Sequence, residues 1–585
     1  MNRRELLAAS LALAGSASLP AASARAAAAS RVRPGHAGWP GGSDWSALNR
    51  ATGGRLSPVT LPPLDTPEAK ALLDNPFYIA DQPGLTESSG WLGAWRSAPS
   101  AYAVKAQNAA DIAAAVRFAG AHNLRLVVKG RGHSYLGGSS APDSLLVWTR
   151  AMDGVTLHDG FTPAGSRAAP VPAISVGAGC MWLHAYQAVT GAGRYVQGGG
   201  CNTVGVAGLV QGGGFGSLSK AFGLAAGSLL EAEVVTADGH IRVVNHAREP
   251  DLFWALKGGG GGTFGIVTRL TLATHALPQT FGAARLMIKA GSDDAFRRLI
   301  ARFVDVYATN LFNPHWGETV HVHPDNRLEV TMTFQGLTQA EAAGAWKPLL
   351  DFADANPADY QGQKGFFAIP VPPKHYWDAD FMRRNAPGAT TQDSRPGAPS
   401  GDFWWSGDGD QVGLFWHAYA SAWLPADLLK PHNQARLADA LFTASRQWQV
   451  GVHFNKGLAG APRAALDAAR DTPMNPDVVD AFALVIIATG GQSLYTDHNP
   501  DLATARADAG RVHAAMAALR VAAPDTGAYV NECDYFQPDW RRAFWGPNYA
   551  RLARVKRRYD PTGLFTVHHG VGSEDWSEDG FTRTG

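Results

Sequence analysis

Cysteine is scarce in this sequence, and its scarcity limits how the chain can be stabilised. Only three cysteines occur among 585 residues, too few for the disulfide framework of a small secreted domain. An excess of one charge is also missing, because 51 Lys and Arg residues stand against 50 Asp and Glu residues. This balance argues against nucleic acid as a partner. At this length we expect two structural units with a sizeable core.

Several common site motifs are absent as well. The sequence contains no G-x-x-x-x-G-K-[ST], no glycine run that opens a βαβ unit with a downstream acid, and no H-E-x-x-H. These absences exclude a P-loop, a Rossmann site and a zincin site. His321 and His323 alternate along one predicted strand without a cysteine partner, so we expect no metal. No fixed repeat or long heptad run is present, which excludes solenoids and fibres.

The first 26 residues are typical of an export signal. Arg3 and Arg4 precede an apolar stretch, Leu6–Leu19, that is too short for a membrane span, and Ala24–Ala26 offers a small-x-small cleavage site. The paired arginines favour the twin-arginine route, which carries folded proteins, and an ordinary secretory signal is the alternative. We therefore expect a periplasmic or secreted protein without a membrane span.

The mature chain shows a change of pattern along its length. Residues 27–100 form a lead-in, within which residues 34–63 are rich in Gly, Pro and Ser and predict a loose structure with one short helix-like turn and no chemistry. Residues 101–278 alternate strand-like and helix-like runs, whereas residues 279–521 combine longer alternating strands with amphipathic helices. The pattern predicts an α/β or α+β first unit and a second unit with an antiparallel sheet covered by helices on one face. The basic run Arg551–Arg558 predicts a solvated helix face.

Glycine is concentrated in three segments of the first unit. They span Val127–Ser140, Gly198–Gly216 and Lys257–Val267. Glycine at this density lets backbone N–H groups approach a phosphate without intervening side chains. Tight turns and bulges are the alternative explanation. Three such loops in one unit favour a large phosphate-bearing ligand.

The order of four motifs is specific enough to suggest a family. The turn RGHS at Arg131–Ser134, the run CNTVGVAG at Cys201–Gly208, the tail at Phe544–Phe565 and the ending VGSEDW at Val571–Trp576 occur in this order. Together they resemble the berberine-bridge-enzyme-like branch of the vanillyl-alcohol-oxidase and p-cresol-methylhydroxylase superfamily. The ending is similar to fungal members described as isoamyl alcohol oxidases.

The resemblance implies an α+β fold with a two-part FAD-binding domain of the p-cresol-methylhydroxylase type. Its second part is residues 522–585, which return to the first unit. FAD would be bound covalently, with His133 joined to the 8α-methyl carbon and Cys201 to ring carbon 6. A neutral imidazole and a thiolate are nucleophilic enough for this chemistry. The further residues expected to contact the cofactor are Lys129, Gly130, Arg131, Gly132, Ser134, Gly198, Gly205, Gly208, Gly214, Gly216, Gly265, Ile266, Val267, Asn548 and Tyr549.

The catalytic base is open between two neighbours. Family members commonly carry Tyr-x-Asn-Tyr near the flavin, whereas this sequence reads Tyr529-Val530-Asn531-Glu532. Either Tyr529 helped by a cation or Glu532 in a partly apolar pocket could take an alcohol's proton. His417 alternates with Tyr419 on a predicted strand and is a further candidate if both face the substrate.

Other residues have ordinary roles as alternatives. Cys180 is expected to be a core residue, and Cys533 is not expected to bind a ligand. The aromatic residues of the second unit could form the floor of a pocket for a ring or a sugar, but core packing is the other explanation. They are Tyr376, Trp377, Trp404 and Trp405.

The resemblance also bears on how the flavin is reoxidised. The residue three places after the flavin-linked cysteine acts in the family as a gate for oxygen, and valine there is typical of oxidases. Here this residue is Val204. We therefore expect an oxidase that acts on a small alcohol-type molecule, such as an alcohol, sugar or phenolic alcohol, and releases hydrogen peroxide. A dehydrogenase of the same fold and a flavin-bearing carbohydrate-binding protein are the alternatives. A monomer is expected.

Overall fold

The computed structural model describes residues 30–361, 366–496 and 499–584; the predicted signal at 1–26 lies outside them. The helices are α1 (Gly42–Ala51), α2 (Pro67–Leu72), α3 (Pro76–Ala80), α4 (Ala109–Ala121), α5 (Trp182–Gly191), α6 (Val206–Gln211), α7 (Ser219–Phe222), α8 (Pro250–Leu256), α9 (Asp293–Val306), α10 (Gln339–Asp354), α11 (Ala379–Asn385), α12 (Pro431–Ser445), α13 (Arg463–Arg470), α14 (Asp477–Asp480), α15 (Leu502–Arg520), α16 (Trp540–Trp545) and α17 (Tyr549–Tyr559).

The strands of the first half are β1 (Leu56–Pro58), β2 (Ser88–Trp91), β3 (Trp95–Arg96), β4 (Tyr102–Lys105), β5 (Leu126–Lys129), β6 (Leu145–Trp148), β7 (Val155–Phe161), β8 (Val171–Gly177), β9 (Arg194–Tyr195), β10 (Leu229–Val235), β11 (Ile241–Val244), β12 (Ile266–Ala273) and β13 (His275–Ala276). Those of the second half are β14 (Phe281–Ala290), β15 (Trp316–Val322), β16 (Arg327–Gln335), β17 (Tyr360–Gln361), β18 (Phe367–Val371), β19 (Thr390–Gln392), β20 (Phe403–Trp405), β21 (Leu414–Pro425), β22 (Val450–His453) and β23 (Ala481–Gly491).

The first unit contains two sheets. One has the order β1-β4-β6-β5, in which β4 and β5 each run parallel to β6, and α4 provides the crossover from β4 to β5. A parallel pair needs such a connection, and the alanine-rich face of α4 packs on the sheet through Ile112 and Val116. The other sheet has the order β11-β10-β12-β8-β7 and is antiparallel.

The second unit is built on one ten-stranded sheet with the order β17-β14-β16-β15-β22-β23-β21-β2-β3, with β18 beside β14. Helices α9, α10, α12 and α15 cover one face, and their apolar residues share a core with the alternating side chains of β16 and β23. The α+β prediction with a helix-covered, largely antiparallel sheet is confirmed. The opposite face turns toward the first unit, where Gly317 lies against the backbone of Ser217.

The lead-in is more ordered than the sequence suggests. Strand β2 pairs parallel with β21 and antiparallel with β3, so residues of the predicted lead-in extend the large sheet of the second unit. Trp91 is 2% exposed and packs in the core that also contains Trp416. Residues 88–96 of the lead-in are therefore part of the large sheet.

The C-terminal segment packs against the first unit. Leu552 and Val555 of α17 share a core with Trp182 and Leu252. The other face of α17 is less solvated than predicted, because Lys556 is buried and its ammonium donates to the carbonyl oxygens of Thr263 and Phe565 and to Asp560. In the part of the chain that the structure describes, no helix has the length and apolarity that crossing a membrane requires.

Candidate functional site

Two glycine-containing loops bring His133 and Cys201 to one place. His133 follows β5 in a turn that needs glycine at 132, where φ is +87°. Cys201 lies in the turn before α6. Thr203 stands between them, with its hydroxyl oxygen 3.3 Å from His133 Nε2 and 3.5 Å from Cys201 Sγ. The two residues predicted to hold the flavin therefore border the same hydroxyl group.

Burial changes the pKa values of His133 and Cys201 in opposite directions. It lowers the pKa of His133 to about 4, so the imidazole is neutral near pH 7 and keeps a free lone pair. Burial, followed by the charge of Asp408, raises the pKa of the Cys201 thiol well above its usual range. His133 is thus ready to act as a nucleophile, whereas Cys201 needs a proton acceptor.

Two carboxyl groups, which sequence reasoning missed, flank this pair. Glu87 is 3% exposed, and its Oε2 lies 3.9 Å from His133 Nε2. Asp408 lies on a short turn at Ser406–Gln411 and interacts with the Cys201 thiol. Burial raises the pKa of Glu87 to about 8 and that of Asp408 to about 7. Neither residue belongs to a motif, since one lies in the lead-in and the other in a loop of the second unit.

Arg131 is the strongest indication that the site holds an anion. Its side chain is 2% exposed, and its Nε donates to the carbonyl oxygen of Gly179 at 2.7 Å. Both terminal nitrogens are buried, and no residue that the structure describes accepts a hydrogen bond from them. Burial lowers its pKa only to about 10, so the group remains charged. A buried charge without a partner is costly, and a phosphate of FAD would satisfy it.

The glycines predicted to contact the cofactor fall into two groups: those required by close packing and those whose backbone is accessible. Gly198, Gly214, Gly216 and Gly265 are required by close packing, because a Cβ atom there would clash with Trp182, Leu209, the Gly198 carbonyl and the Val235 carbonyl respectively. Gly208 has open space where a side chain would project. Gly205 adjoins the stem of Arg131, whose Cγ would lie 3.3 Å from a Cβ atom added at position 205. An accessible backbone beside a free guanidinium fits a dinucleotide cofactor.

Other predicted contacts have structural roles. The Lys129 ammonium donates to the carbonyl oxygens of Gln82 and Leu85, so its side chain holds the segment that carries Glu87. Ile266 and Val267 have their side chains in two hydrophobic cores, so their side chains do not contact a cofactor. Strand alternation explains this, since successive residues of β12 face opposite sides.

Three further predicted contacts are engaged within the protein. The Ser134 hydroxyl accepts from the Gly138 N–H at 3.0 Å and shapes the His133 turn. Asn548 Nδ2 donates to the Met474 carbonyl oxygen at 3.0 Å. The Tyr549 hydroxyl donates to Glu574 at 2.5 Å. Gly130 lies in the same turn as His133, with the Ala178 carbonyl 3.3 Å from where its Cβ would be.

The candidate bases Tyr529 and Glu532 lie on a tight turn that is hydrogen-bonded to the large sheet. The Glu532 N–H donates to the Tyr529 carbonyl at 2.9 Å, and Ser421 of β21 donates to the Glu532 carbonyl at 2.5 Å. The Glu532 carboxylate receives two hydrogen bonds from the Lys456 ammonium, at 2.6 and 2.5 Å. The Tyr529 hydroxyl accepts from Asn531 at 3.0 Å.

Tyr135 neighbours both the turn of the candidate base and the residues predicted to hold the flavin. It lies two residues after His133, its ring is 5.5 Å from that of Tyr419, and its hydroxyl donates to Gln411 at 2.8 Å. After burial, the charge of Glu532 is the largest influence that raises its pKa. The sequence offered a signal for Tyr135, because it belongs to the same turn as His133, but gave none for Lys456.

His417 does not belong to this site. A β-bulge between Trp416 and Ala418 inserts a residue into β21, so the alternation that would place His417 beside Tyr419 is broken. Trp416 and Tyr419 contact each other, with ring centres 5.2 Å apart. His417 instead turns toward helix α15, where its Nδ1 lies 3.7 Å from Asp508. The prediction that it reaches the substrate is wrong.

The aromatic residues of the second unit mostly pack against the first. The ring of Trp377 stacks on Tyr186 at 4.2 Å, and Trp404 packs on Phe77 at 6.0 Å. Tyr376, Trp377 and Trp405 also line a cavity of about 30 Å³. That volume accommodates water but not a sugar ring, so core packing is the better explanation.

The remaining cysteines lie away from any metal-binding arrangement. Cys180 and Cys533 are buried and free. Within the described ranges, no group of three or more His, Cys, Asp or Glu residues is placed to hold a metal ion.

Val204 lies in the same turn as Cys201 and packs against the core of the first unit, and its carbonyl accepts from the Trp182 N–H at 3.1 Å.

Known proteins share both the sequence and the fold. Residues 100–245 match a family described as an FAD binding domain, and residues 528–572 match one described as berberine and berberine like. The FAD-linked oxidoreductase notD' of Aspergillus versicolor is 30% identical over 94% of this chain and 89% of its own length. The chain belongs to the FAD-linked oxidoreductases. Among them it has the berberine-like, vanillyl-alcohol-oxidase type of organisation, which confirms the resemblance.

Solved structures of this oxidoreductase type superpose on nearly the whole chain. The VAO-type flavoprotein MtVAO615 of Myceliophthora thermophila C1 has a TM-score of 0.75 and 27% identity, covering 94% of this chain and 98% of its own. The glucooligosaccharide oxidase of Acremonium strictum shares the fold at a TM-score of 0.63 and 18% identity, covering 90% and 99%. This chain is therefore an FAD-binding enzyme.

Proposed function

We propose that this FAD-linked oxidoreductase is an exported oxidase that carries FAD on two covalent bonds and oxidises a small alcohol-type molecule. The observation that carries the proposal is the position of His133 and Cys201 on either side of Thr203, with a neutral imidazole and a thiol beside Asp408. The Acremonium strictum oxidase is described as having a 6-S-cysteinyl, 8α-N1-histidyl FAD. This chain brings the same two residue types together.

The base turn supplies the proton chemistry. Burial and the neighbouring Glu532 raise the pKa of Tyr529 well above its usual range, so near pH 7 it is a neutral phenol. Glu532, held in place by Lys456, then accepts the substrate hydroxyl proton, while Tyr529 orients the oxygen by a hydrogen bond. Bound FAD supplies the acceptor for the substrate's hydride. Tyr135 and Tyr419 exclude water beside this turn.

Oxygen is the proposed electron acceptor, because the residue in the gate position is Val204 and one methylene can close a space of oxygen's size. The export signal expected at 1–26 would carry the folded, flavin-loaded enzyme out of the cytoplasm. Substrates in this proposal are alcohols, sugars or phenolic alcohols.

A peroxide-release screen across those three substrate classes tests the proposal. We expect at least one class to give hydrogen peroxide in proportion to substrate consumed. If substrates bleach the flavin but air restores its colour only slowly, the enzyme is a dehydrogenase that uses another acceptor. If no member of any class bleaches the flavin, the proposed alcohol oxidation is contradicted.

A further inference from the structure

A row of aromatic side chains leads from the candidate site to the protein surface. Tyr135 lies two residues after His133, and its ring centre is 4.9 Å from that of Trp416. The ring centre of Trp91 lies 6.4 Å from that of Trp416 and 5.9 Å from that of Tyr535. These four residues form the aromatic row: Tyr135, Trp416, Trp91 and Tyr535. The last three have no part in the alcohol chemistry proposed above.

The pairing of two strands builds the middle of the aromatic row. Strands β2 and β21 run parallel, and their register places Trp91 beside Trp416. The β-bulge that follows Trp416 keeps its ring close to that of Tyr419, 5.2 Å away. Its indole N–H donates to the Ser88 hydroxyl at 2.8 Å. Two tryptophans are therefore held in fixed positions between the site and the surface.

The inner end of the aromatic row borders the candidate site. After burial, the charges of Glu532 and Cys201 contribute most to raising the pKa of Tyr135. The Tyr135 hydroxyl donates to the side-chain amide oxygen of Gln411 at 2.8 Å. An amide oxygen is a poor proton acceptor, so Tyr135 cannot readily lose an electron and its proton together. Its ring is therefore a contact between the site and Trp416.

The outer end of the aromatic row has the proton acceptor that the inner end lacks. The Tyr535 hydroxyl donates to the carboxylate of Glu578 at 3.2 Å, and Glu578 is exposed. Burial, followed by the charge of Glu578, raises the pKa of Tyr535, so it is a neutral phenol near pH 7. Its ring lies 5.2 Å from that of Phe536, which is 53% exposed. Tyr535 can therefore lose an electron and pass its proton to Glu578 near the surface.

The order of the residue types suits the transfer of single electrons. Tryptophan and tyrosine are oxidised readily by one-electron oxidants. An indole ring can hold a positive charge and keep its proton, whereas a phenol releases its proton when it is oxidised. Trp416 and Trp91 therefore suit the middle of the aromatic row, and Tyr535 suits its end. This order favours movement of a positive charge from the site to the surface.

We propose that the aromatic row is a one-electron relay through which light drives electrons from a thiol in solution to the bound flavin. The inference rests on the flavin position of the proposed function, but it needs no alcohol substrate. It gives the chain a second, light-dependent activity.

The relay is balanced in electrons and protons. Trp416 gives one electron to the light-excited flavin across the ring of Tyr135 and becomes a radical cation. Trp91 then reduces Trp416. Tyr535 reduces Trp91, and its proton passes to Glu578 and from there to solvent. A thiol in solution gives a hydrogen atom to the Tyr535 radical, and two of the resulting thiyl radicals combine to a disulfide.

The first test follows the absorption of the oxidised flavin in the full-length, flavin-loaded protein, mixed with glutathione without oxygen or alcohol. We expect this absorption to fall under blue light and to stay constant in the dark. Trp91→Phe should slow the fall by about tenfold or more, because phenylalanine keeps a ring but is much harder to oxidise. Trp346→Phe is the matched control, because Trp346 is equally buried in the helix-covered core and lies outside the aromatic row.

The second test detects the radicals themselves. After a laser flash, transient absorption of the wild type should show a tryptophan radical that gives way to a tyrosyl radical. Tyr535→Phe should abolish the tyrosyl signal and prolong the tryptophan radical. Glu578→Gln changes only an exposed side chain. It should delay the tyrosyl signal, because an amide does not take the proton.

The outcomes separate the relay from the proposed function. If Trp91→Phe loses absorption under light at the wild-type rate, or if no radical follows the flash in the wild type, the relay is overturned and alcohol oxidation still stands. An equal fall in absorption in the dark would also overturn the relay. If the radicals appear in the expected order but the peroxide screen finds no substrate, the relay stands and the proposed alcohol oxidation is contradicted.

Discussion

Replacing Arg131 with methionine should have opposite effects on the empty and the flavin-loaded protein. In the structure the guanidinium is buried and charged, and its two terminal nitrogens are unsatisfied within the described residues. Methionine fills similar space without a charge to desolvate. The FAD-free protein should therefore keep its stability or gain about 1–3 kcal/mol, the cost of a buried group left without a hydrogen bond.

The flavin-loaded protein should lose affinity instead. Removing one partner of a buried charge pair costs about 3–5 kcal/mol, which corresponds to a factor of roughly 10² to 10⁴ in the dissociation constant. Affinity has to be measured where FAD can leave, so the change is made in a chain that also carries His133→Ala and Cys201→Ala.

Fluorescence titration with FAD and denaturant unfolding of the FAD-free chain give the two quantities. Arg117→Met is the control, because Arg117 on α4 donates to the Gly239 carbonyl and has no unsatisfied nitrogen among those found in the described chain. An FAD dissociation constant within about threefold of the control's would refute an anion-binding role for Arg131.

Four further substitutions test the roles of individual residues. Glu532→Gln should slow flavin reduction by substrate by about 10²-fold or more, while Tyr529→Phe should have a smaller effect; a larger effect of Tyr529→Phe on the stopped-flow rate would reverse their roles. Val204→Ile should slow flavin reoxidation by oxygen and leave reduction nearly unchanged, and identical reoxidation rates would remove Val204 as the gate. Lys220 is 1% exposed, and burial lowers its pKa to about 7. The unfolded chain therefore holds one more proton between about pH 7 and pH 10, so stability should rise across that window by about 1.4 kcal/mol per unit. Lys220→Met should remove this slope in unfolding experiments, and an unchanged slope would contradict the assignment.

Local patterns locate only part of the regular elements. The apolar residues around Ile112 recur with the period of a helix and form α4, and those around Val330 alternate with polar residues and form β16, because each period matches one buried face. Strand β7 was missed: its seven residues are all partly or fully exposed, so no apolar alternation marks it. The pairing of β2 with β21 could not be found either, since it joins residues far apart in sequence.

The residues of the candidate site likewise differ in whether a local sequence pattern marks them. His133 and Cys201 lie in glycine-rich motifs, and such motifs can be recognised in the sequence alone. Glu87 and Asp408 are single acids in segments without a motif, and only the tertiary fold brings them to the attachment residues. The error over His417 arose because one extra residue in a strand shifts every later side chain to the other face.

The central claim is that FAD is joined to this chain at His133 and Cys201. Its most direct test is mass spectrometry of the acid-denatured, full-length protein, followed by mapping of the flavin-bearing peptides. We expect the mass of the mature polypeptide plus one FAD, with a cross-link through the flavin between the His133 and Cys201 peptides. Release of all flavin into the acid supernatant, leaving an unmodified polypeptide, would contradict it.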